Sequence, residues 1–186
     1  MSATMSETRV VQTLAMGKGV TLKLLLDPSQ PEDSISRWTS EGTAEGRPGD
    51  DVFEAPLHWH RNHSEFMDVR EGRVQITIDG VVTVAKAGDK PVHIPAGAVH
   101  ALKSFPGERV VVRESADPPG DYKHLFFADF LAGSWPPGFW YTMRTFYDGD
   151  AYPSLGLYFK SFDVAFVTVF GGIAKLFLEK RQEKLE

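Results

Sequence analysis

The chain has 186 residues, 42% of them hydrophobic and 12% aromatic, enough for one domain with a substantial core. Its formal net charge of −5 supplies no positive face for a phosphate backbone, which argues against nucleic acid as a partner. Cysteine is absent, so disulfides, thiolate ligands and cysteine nucleophiles are excluded, and a reducing, cytoplasmic location is expected. The first 17 residues lack the apolar run of a signal peptide and read as a partly flexible arm.

Taken in order, Val20–Leu26 is the first expected strand, ended by Asp27 and Pro28, and residues 35–40 form a second through Trp38. Residues 41–51, rich in Gly, Glu and Asp, read as a long solvated loop. Strands are then expected over 52–60 and 65–70, separated by the polar, turn-prone Arg61-Asn62-His63-Ser64. Side chains alternate along a strand, so His58 and His60 share a face and Trp59 takes the other. A reversal at residues 61–64 places Glu65 opposite those histidines. Two neutral imidazoles and a carboxylate converging from one side suit a divalent metal that keeps open positions for substrate, water or oxygen.

Arg73–Ile78 and residues 81–85 are joined by Asp79-Gly80, the strongest short hairpin signal in the chain. Further short strands are expected over 91–95, His100–Ser104 and 109–113, with Pro95 and Gly97 making a tight turn before a third imidazole, His100. About nine short strands with Gly or Pro turns indicate a closed barrel or jelly roll.

At these residues the sequence resembles the cupins. His58, His60, Glu65 and Gly72 match their first motif position by position, and Pro95, Gly97 and His100 match the second. The glycine that usually precedes the first histidine is missing, Gly88 lies one residue further from the proline than usual, and Ser104 stands where asparagine is frequent. These departures fall on turns and strand ends, not on ligands. The resemblance implies an all-β fold, a single cupin β-barrel or jelly roll with an α-helical C-terminal extension. The barrel is expected over about 19–116 and the extension over about 117–186, together forming one domain. No repeat of the motif pair is visible, which excludes a two-barrel arrangement.

Beyond residue 116 the texture changes. Tyr122, Leu125, Phe126 and Phe130 recur at helical spacing, so residues 121–132 are expected to be a helix packed on the barrel. Residues 134–152 hold Trp135, Phe139, Trp140, Tyr141, Phe146, Tyr147 and Tyr152, an aromatic cluster that suits core or dimer packing, or a lid over the barrel mouth. Residues 158–178 read as a packed helix with an apolar stripe of Phe162, Phe166, Val169, Ile173 and Phe177, although Gly171-Gly172 weakens it. Lys160, Asp163 and Lys175 interrupt the apolar run, which argues against a membrane span. Peripheral docking of residues 162–178 on a membrane, helped by Lys175, Lys180, Arg181 and Lys184, is the minority reading. Apolar residues on the opposite face as well predict a homodimer.

Of the six histidines, His63 is expected in a solvated turn, His93 in a structural role or supporting the ligands, and His124 on the surface. Metal ligands are expected at His58, His60, Glu65 and His100. Resemblance to single-domain, quercetinase-like cupins implies a three-histidine, one-glutamate centre holding one divalent transition metal: iron, manganese, nickel, cobalt, copper or zinc. It further implies a small oxygenated organic substrate, a dioxygenase-type oxidoreductase reaction and Glu65 as ligand and general base. Two other classes fit the same residues: a non-redox isomerase, cyclase or lyase, and a metal-bearing binding or sensing module without turnover.

Overall fold

Runs in which apolar side chains alternate with polar ones bury one face only, and here they form two sheets packed face to face. The computed structural model describes residues 8–133, 135–157 and 159–178. In chain order the strands are β1 (Arg9–Ala15), β2 (Val20–Leu26), β3 (Trp38–Ala44), β4 (Glu54–Trp59), β5 (Ser64–Glu71), β6 (Arg73–Ile78), β7 (Val81–Lys86), β8 (Val92–Ile94), β9 (His100–Ser104) and β10 (Val110–Asp117). Helices α1 (Tyr122–Phe130) and α2 (Phe139–Asp148), a short β11 (Tyr152–Pro153) and α3 (Lys160–Ala174) follow. One sheet runs β1-β2-β3-β10-β5-β8 and the other β11-β4-β9-β6-β7. From β3 to β10 the chain crosses between sheets at every connection except the β6–β7 hairpin. The result is a mostly β jelly-roll sandwich with a helical extension, as the sequence predicts, although the extension holds three helices rather than two.

Between the sheets, Met67 and Val69 of β5, Val74 and Ile76 of β6, Leu102 of β9 and Val112 of β10 form one buried cluster. Each such side chain contributes about 1.5–3 kcal/mol on burial. The period of two along a strand carries the rows on to Glu65 and His100, which therefore point inward too. Gly72, with φ of +70°, closes the far end, between β5 and β6: a Cβ there would lie 2.2 Å from the Arg109 carbonyl oxygen. In the β6–β7 hairpin Asp79 and Gly80 both have positive φ, as the expected two-residue turn requires.

Several elements depart from expectation. Residues 9–15 of the supposed flexible arm form β1, paired with β2; its side chains are mostly exposed, so it carries almost no hydrophobic pattern. Residues 1–7 lie outside the described residues. The second strand is Trp38–Ala44, so residues 41–44 are not loop: Gly42, Thr43 and Ala44 are buried between β2 and β10. Neighbours on both sides override the weak strand propensity of Ser-Glu-Gly-Thr. In the aromatic region, Phe139–Asp148 is helix α2.

The C-terminal helix packs on α2, but by a different face from the expected one. Asp163, Val167, Gly171 and Ala174 are buried, whereas Phe162, Val169, Ile173 and Phe177 of the predicted stripe are exposed. Small residues win this face because α2 comes so close: a Cβ on Gly171 would lie 2.5 Å from the Tyr147 Cβ and 2.6 Å from the Met143 carbonyl oxygen. Asp163 is no exposed interruption. It accepts hydrogen bonds from the Trp59 indole nitrogen at 3.0 Å and the Leu155 amide at 3.2 Å. Among the described residues no helix is long and apolar enough to cross a membrane. Tyr158, Lys180, Arg181 and Lys184 lie outside the described residues.

Neighbouring glycines should therefore respond with opposite signs. Gly171→Ala is expected to destabilise the chain by about 1–3 kcal/mol through overpacking. Gly172→Ala, whose Cβ meets only a Tyr147 ring carbon at 4.0 Å, should instead stabilise by up to about 1 kcal/mol through helix propensity. Urea denaturation of both variants would measure this; equal effects would contradict the packing described.

Candidate metal centre

His58 and His100 are direct partners in the β4–β9 ladder, as are Ala55 and Leu102. Three residues of β4 thus span two of β9, a bulge at Pro56-Leu57. Cross-strand partners share a face, so the extra residue lets Ala55 and His58 both point inward, which a regular strand would forbid. Pro56 fits such a bulge because it has no amide hydrogen to leave unpaired. Its carbonyl accepts from the His58 Nδ1 at 2.7 Å. The turn after Pro95 is tied to the same place, with the Gly97 amide donating to the His60 carbonyl at 2.7 Å.

From the opposite sheet, Glu65 of β5 reaches across the sandwich. Its Oε1 lies 3.0 Å from the His60 Nε2, and its Oε2 lies 3.0 Å from the His100 Nε2. Those contacts cannot be hydrogen bonds between neutral rings and a carboxylate. The Nδ1 atoms of His58, His60 and His100 each meet a backbone carbonyl, of Pro56, Asp150 and Ala98 respectively. A carbonyl only accepts, so each Nδ1 carries the hydrogen and each Nε2 is left with its lone pair. Lone pairs therefore face a carboxylate, and the Nε2 atoms of His60 and His100 and the Oε2 of Glu65 are buried without a hydrogen-bond partner. A divalent cation resolves this arrangement. Donors about 2.1 Å from one ion and at right angles are about 3 Å apart, the spacing seen here.

The ligand atoms of His58, His60 and His100 lie within 4.8 Å of one another, as do those of His60, His63 and Glu65. This buried cluster could hold a metal ion, and the residues present fit one. The charge states suit it as well. Burial holds His58 well below the usual imidazole range and brings His60 down to about 4, so both stay neutral. Burial alone would raise the Glu65 carboxyl, but the ammonium of Lys123 holds it well below the carboxylate range.

The four residues named from sequence, His58, His60, Glu65 and His100, are brought together. Others were misjudged. His63 is not solvated but 3% exposed, its Nδ1 held 3.1 Å from the Asp150 carboxylate. His124 is not on the surface either: it is 1% exposed, bonded through Nε2 to the Thr39 carbonyl at 2.8 Å and set edge-on against Trp38. His93 is exposed and stacked on Phe66, away from the ligands.

Lys123 and Asp150 went unrecognised in the sequence. Lys123, on α1, is buried and pairs with both Glu65 and Glu114, at 2.8 Å to the latter. Burial would lower its pKa, but the two carboxylates raise it instead. Burial also pushes the Glu114 carboxyl up. Asp150, with φ of +53°, accepts from the Arg61 and Asn62 amides, the Asn62 side chain and His63, while its carbonyl holds His60. A lysine inside an aromatic helix and an aspartate between glycine and alanine offer no periodic signal.

The centre opens into a cavity of about 560 Å³. His58, His60, Glu65, Glu114 and Lys123 form its polar patch, and Phe53, Phe126, Phe127, Phe130, Met143 and Phe146 much of its apolar wall. Of the aromatic cluster, Trp135 and Phe146 line this space, whereas Phe139, Trp140 and Tyr147 are exposed.

Residues 47–112 match the Cupin domain family model. A curated relative, Oxidoreductase iacF of Pestalotiopsis fici, is 33% identical over 78 residues, which are 41% of this chain and 38% of that protein. The match therefore spans well under half of that relative's length. Similar solved structures include an RmlC-like cupin from Shewanella frigidimarina, 20% identical, covering 63% of this chain and 88% of that one with a TM-score of 0.43. KdgF from Halomonas sp. is 15% identical over 59% of this chain and 88% of that one, also with a TM-score of 0.43.

Two outcomes follow from the electrostatics. Lys123→Met removes the cation shared by buried Glu65 and half-buried Glu114 and should cost the metal-free chain about 3–5 kcal/mol at pH 7, measured by urea denaturation. Second, the unfolded chain protonates His60 near 6.5 and the folded chain only near 4. Between those values acid favours the unfolded state, so the His60 contribution is complete above 6.5 and lost towards 4. Metal-free wild type should lose up to about 3 kcal/mol relative to His60→Gln across that window; parallel stability curves would refute the burial effect.

Proposed function

We propose that this chain is a metal-dependent enzyme acting on a small oxygenated organic molecule, most simply as an oxygenase, through His58, His60, Glu65 and His100. The observation that carries this reading is the set of imidazole lone pairs facing a carboxylate at the floor of an apolar cavity. The name of the curated relative, an oxidoreductase, agrees with it. When bound, a redox-capable divalent ion would supply a position where a chelating substrate oxygen and dioxygen meet.

The chain's own residues supply the rest. Phe126, Phe130 and Phe146 exclude water and suit the apolar body of a substrate. They leave its oxygenated end to the patch made by His58, His60, Glu65 and Lys123. Lys123 keeps Glu65 ionised, so its carboxylate is available to take a proton from an enol or phenol. Asp150, Ala98 and Pro56 fix the ring orientations by hydrogen bonding at Nδ1.

The test is oxygen uptake by metal-loaded full chain with catechols, enols and flavonoids, alongside metal analysis. About one equivalent of ion per chain and metal-dependent uptake are expected. Glu65→Gln should cut turnover about 100-fold or more while losing far less of the metal. Turnover without oxygen consumption would replace the oxygenase by a Lewis-acid isomerase or lyase, and tight metal binding with no turnover would leave a binding module.

A further inference from the structure

We infer that His63 is a fifth ligand of the centre, so that this chain offers an ion four imidazoles and one carboxylate. The inference rests on the metal-binding reading above but concerns a residue at a position that neither matched motif specifies. A histidine in the polar turn between β4 and β5 would ordinarily sit in water. Instead the His63 side chain is 2% exposed.

Its ring is oriented as the other three are. The Nδ1 lies 3.1 Å from the Asp150 Oδ2, an acceptor that fixes the hydrogen on that nitrogen. The Nε2 is the nitrogen left to face an ion: it is buried without a hydrogen-bond partner, 3.7 Å from the Glu65 Oε1. The ring stacks on His60 with centroids 4.2 Å apart and planes 28° apart, so both rings present edges to the same carboxylate. Ligand atoms of His60, His63 and Glu65 fall within 4.8 Å of one another. This set shares His60 with the set of His58, His60 and His100, and Glu65 bridges the two: Oε1 faces His60 and His63, and Oε2 faces His100.

The turn itself is built to this end. One carboxylate, Asp150, receives the amides of Arg61 and Asn62 at 3.2 and 2.9 Å as well as the His63 ring. The Tyr122 ring packs against His63 from α1, with centroids 5.3 Å apart. A turn that needed only to reverse the chain would not require a buried imidazole with an unpaired nitrogen.

The test loads full chain, labelled with nitrogen-15 in its histidines, with cadmium-113 and counts the imidazole nitrogens coupled to the metal by NMR. Four coupled Nε2 signals are expected, one of which disappears in His63→Phe, a variant that keeps the stacking on His60. Cadmium affinity should fall at least about tenfold in that variant. Three or fewer coupled imidazoles in the wild type would overturn the inference and leave the metal centre standing, and that count decides the matter even if the variant fails to fold. No cadmium binding by the wild type would instead remove the metal-binding reading itself, and this inference with it.

Discussion

Everything around the centre answers one electrostatic demand, a carboxylate held inside an apolar sandwich against nitrogen lone pairs. An isolated buried carboxylate is costly and would ordinarily take up a proton. Glu65 is kept ionised by the positive charge of Lys123 on one of its oxygens. The imidazoles of His58, His60 and His100 cannot share their protons with it, because each Nδ1 hydrogen is committed to a carbonyl behind the ring. Such an arrangement is unfavourable for an empty core and favourable for a cation.

The jelly roll and the extension divide the work of holding it. The two sheets supply ligands from opposite faces of the sandwich, His58 and His100 from one and Glu65 from the other, with the β4 bulge correcting the aim of His58. The segment after residue 116 supplies the counter-charge, through Lys123 on α1, and the orientation, through Asp150 beside β11. It is anchored in turn by Asp163 of α3 beneath Trp59, the residue that points away between His58 and His60. The extension is therefore part of the centre, and its aromatic residues become the cavity wall.

Much of the barrel was legible because it rests on local rules. Asp79-Gly80, the alternation through residues 73–85 and the spacing of His58, His60, Glu65 and His100 each determine a conformation or a face within a few residues. Where pairing to neighbours decided the outcome, the reading faltered. The polar β1 and the end of β3 at residues 41–44 become strands only because β2 and β10 offer hydrogen bonds to them. On α3 the bulky stripe looked like the buried face, but close approach to Tyr147 demands Gly171 and selects the small one.

By itself, then, the sequence determined a mostly β jelly roll, through side-chain period and turn chemistry, and its resemblance to the cupin motifs marked the four residues that converge in it. Only the tertiary structure decided that His63 and His124 are buried, that Lys123 neutralises Glu65 and that Asp150 orients two imidazoles. Those contacts join residues 58 positions apart for Lys123 with Glu65, and 87 to 90 apart for Asp150 with His63 and His60. No local pattern encodes such a pairing; it exists once two helices and a short strand have packed over the mouth of the barrel.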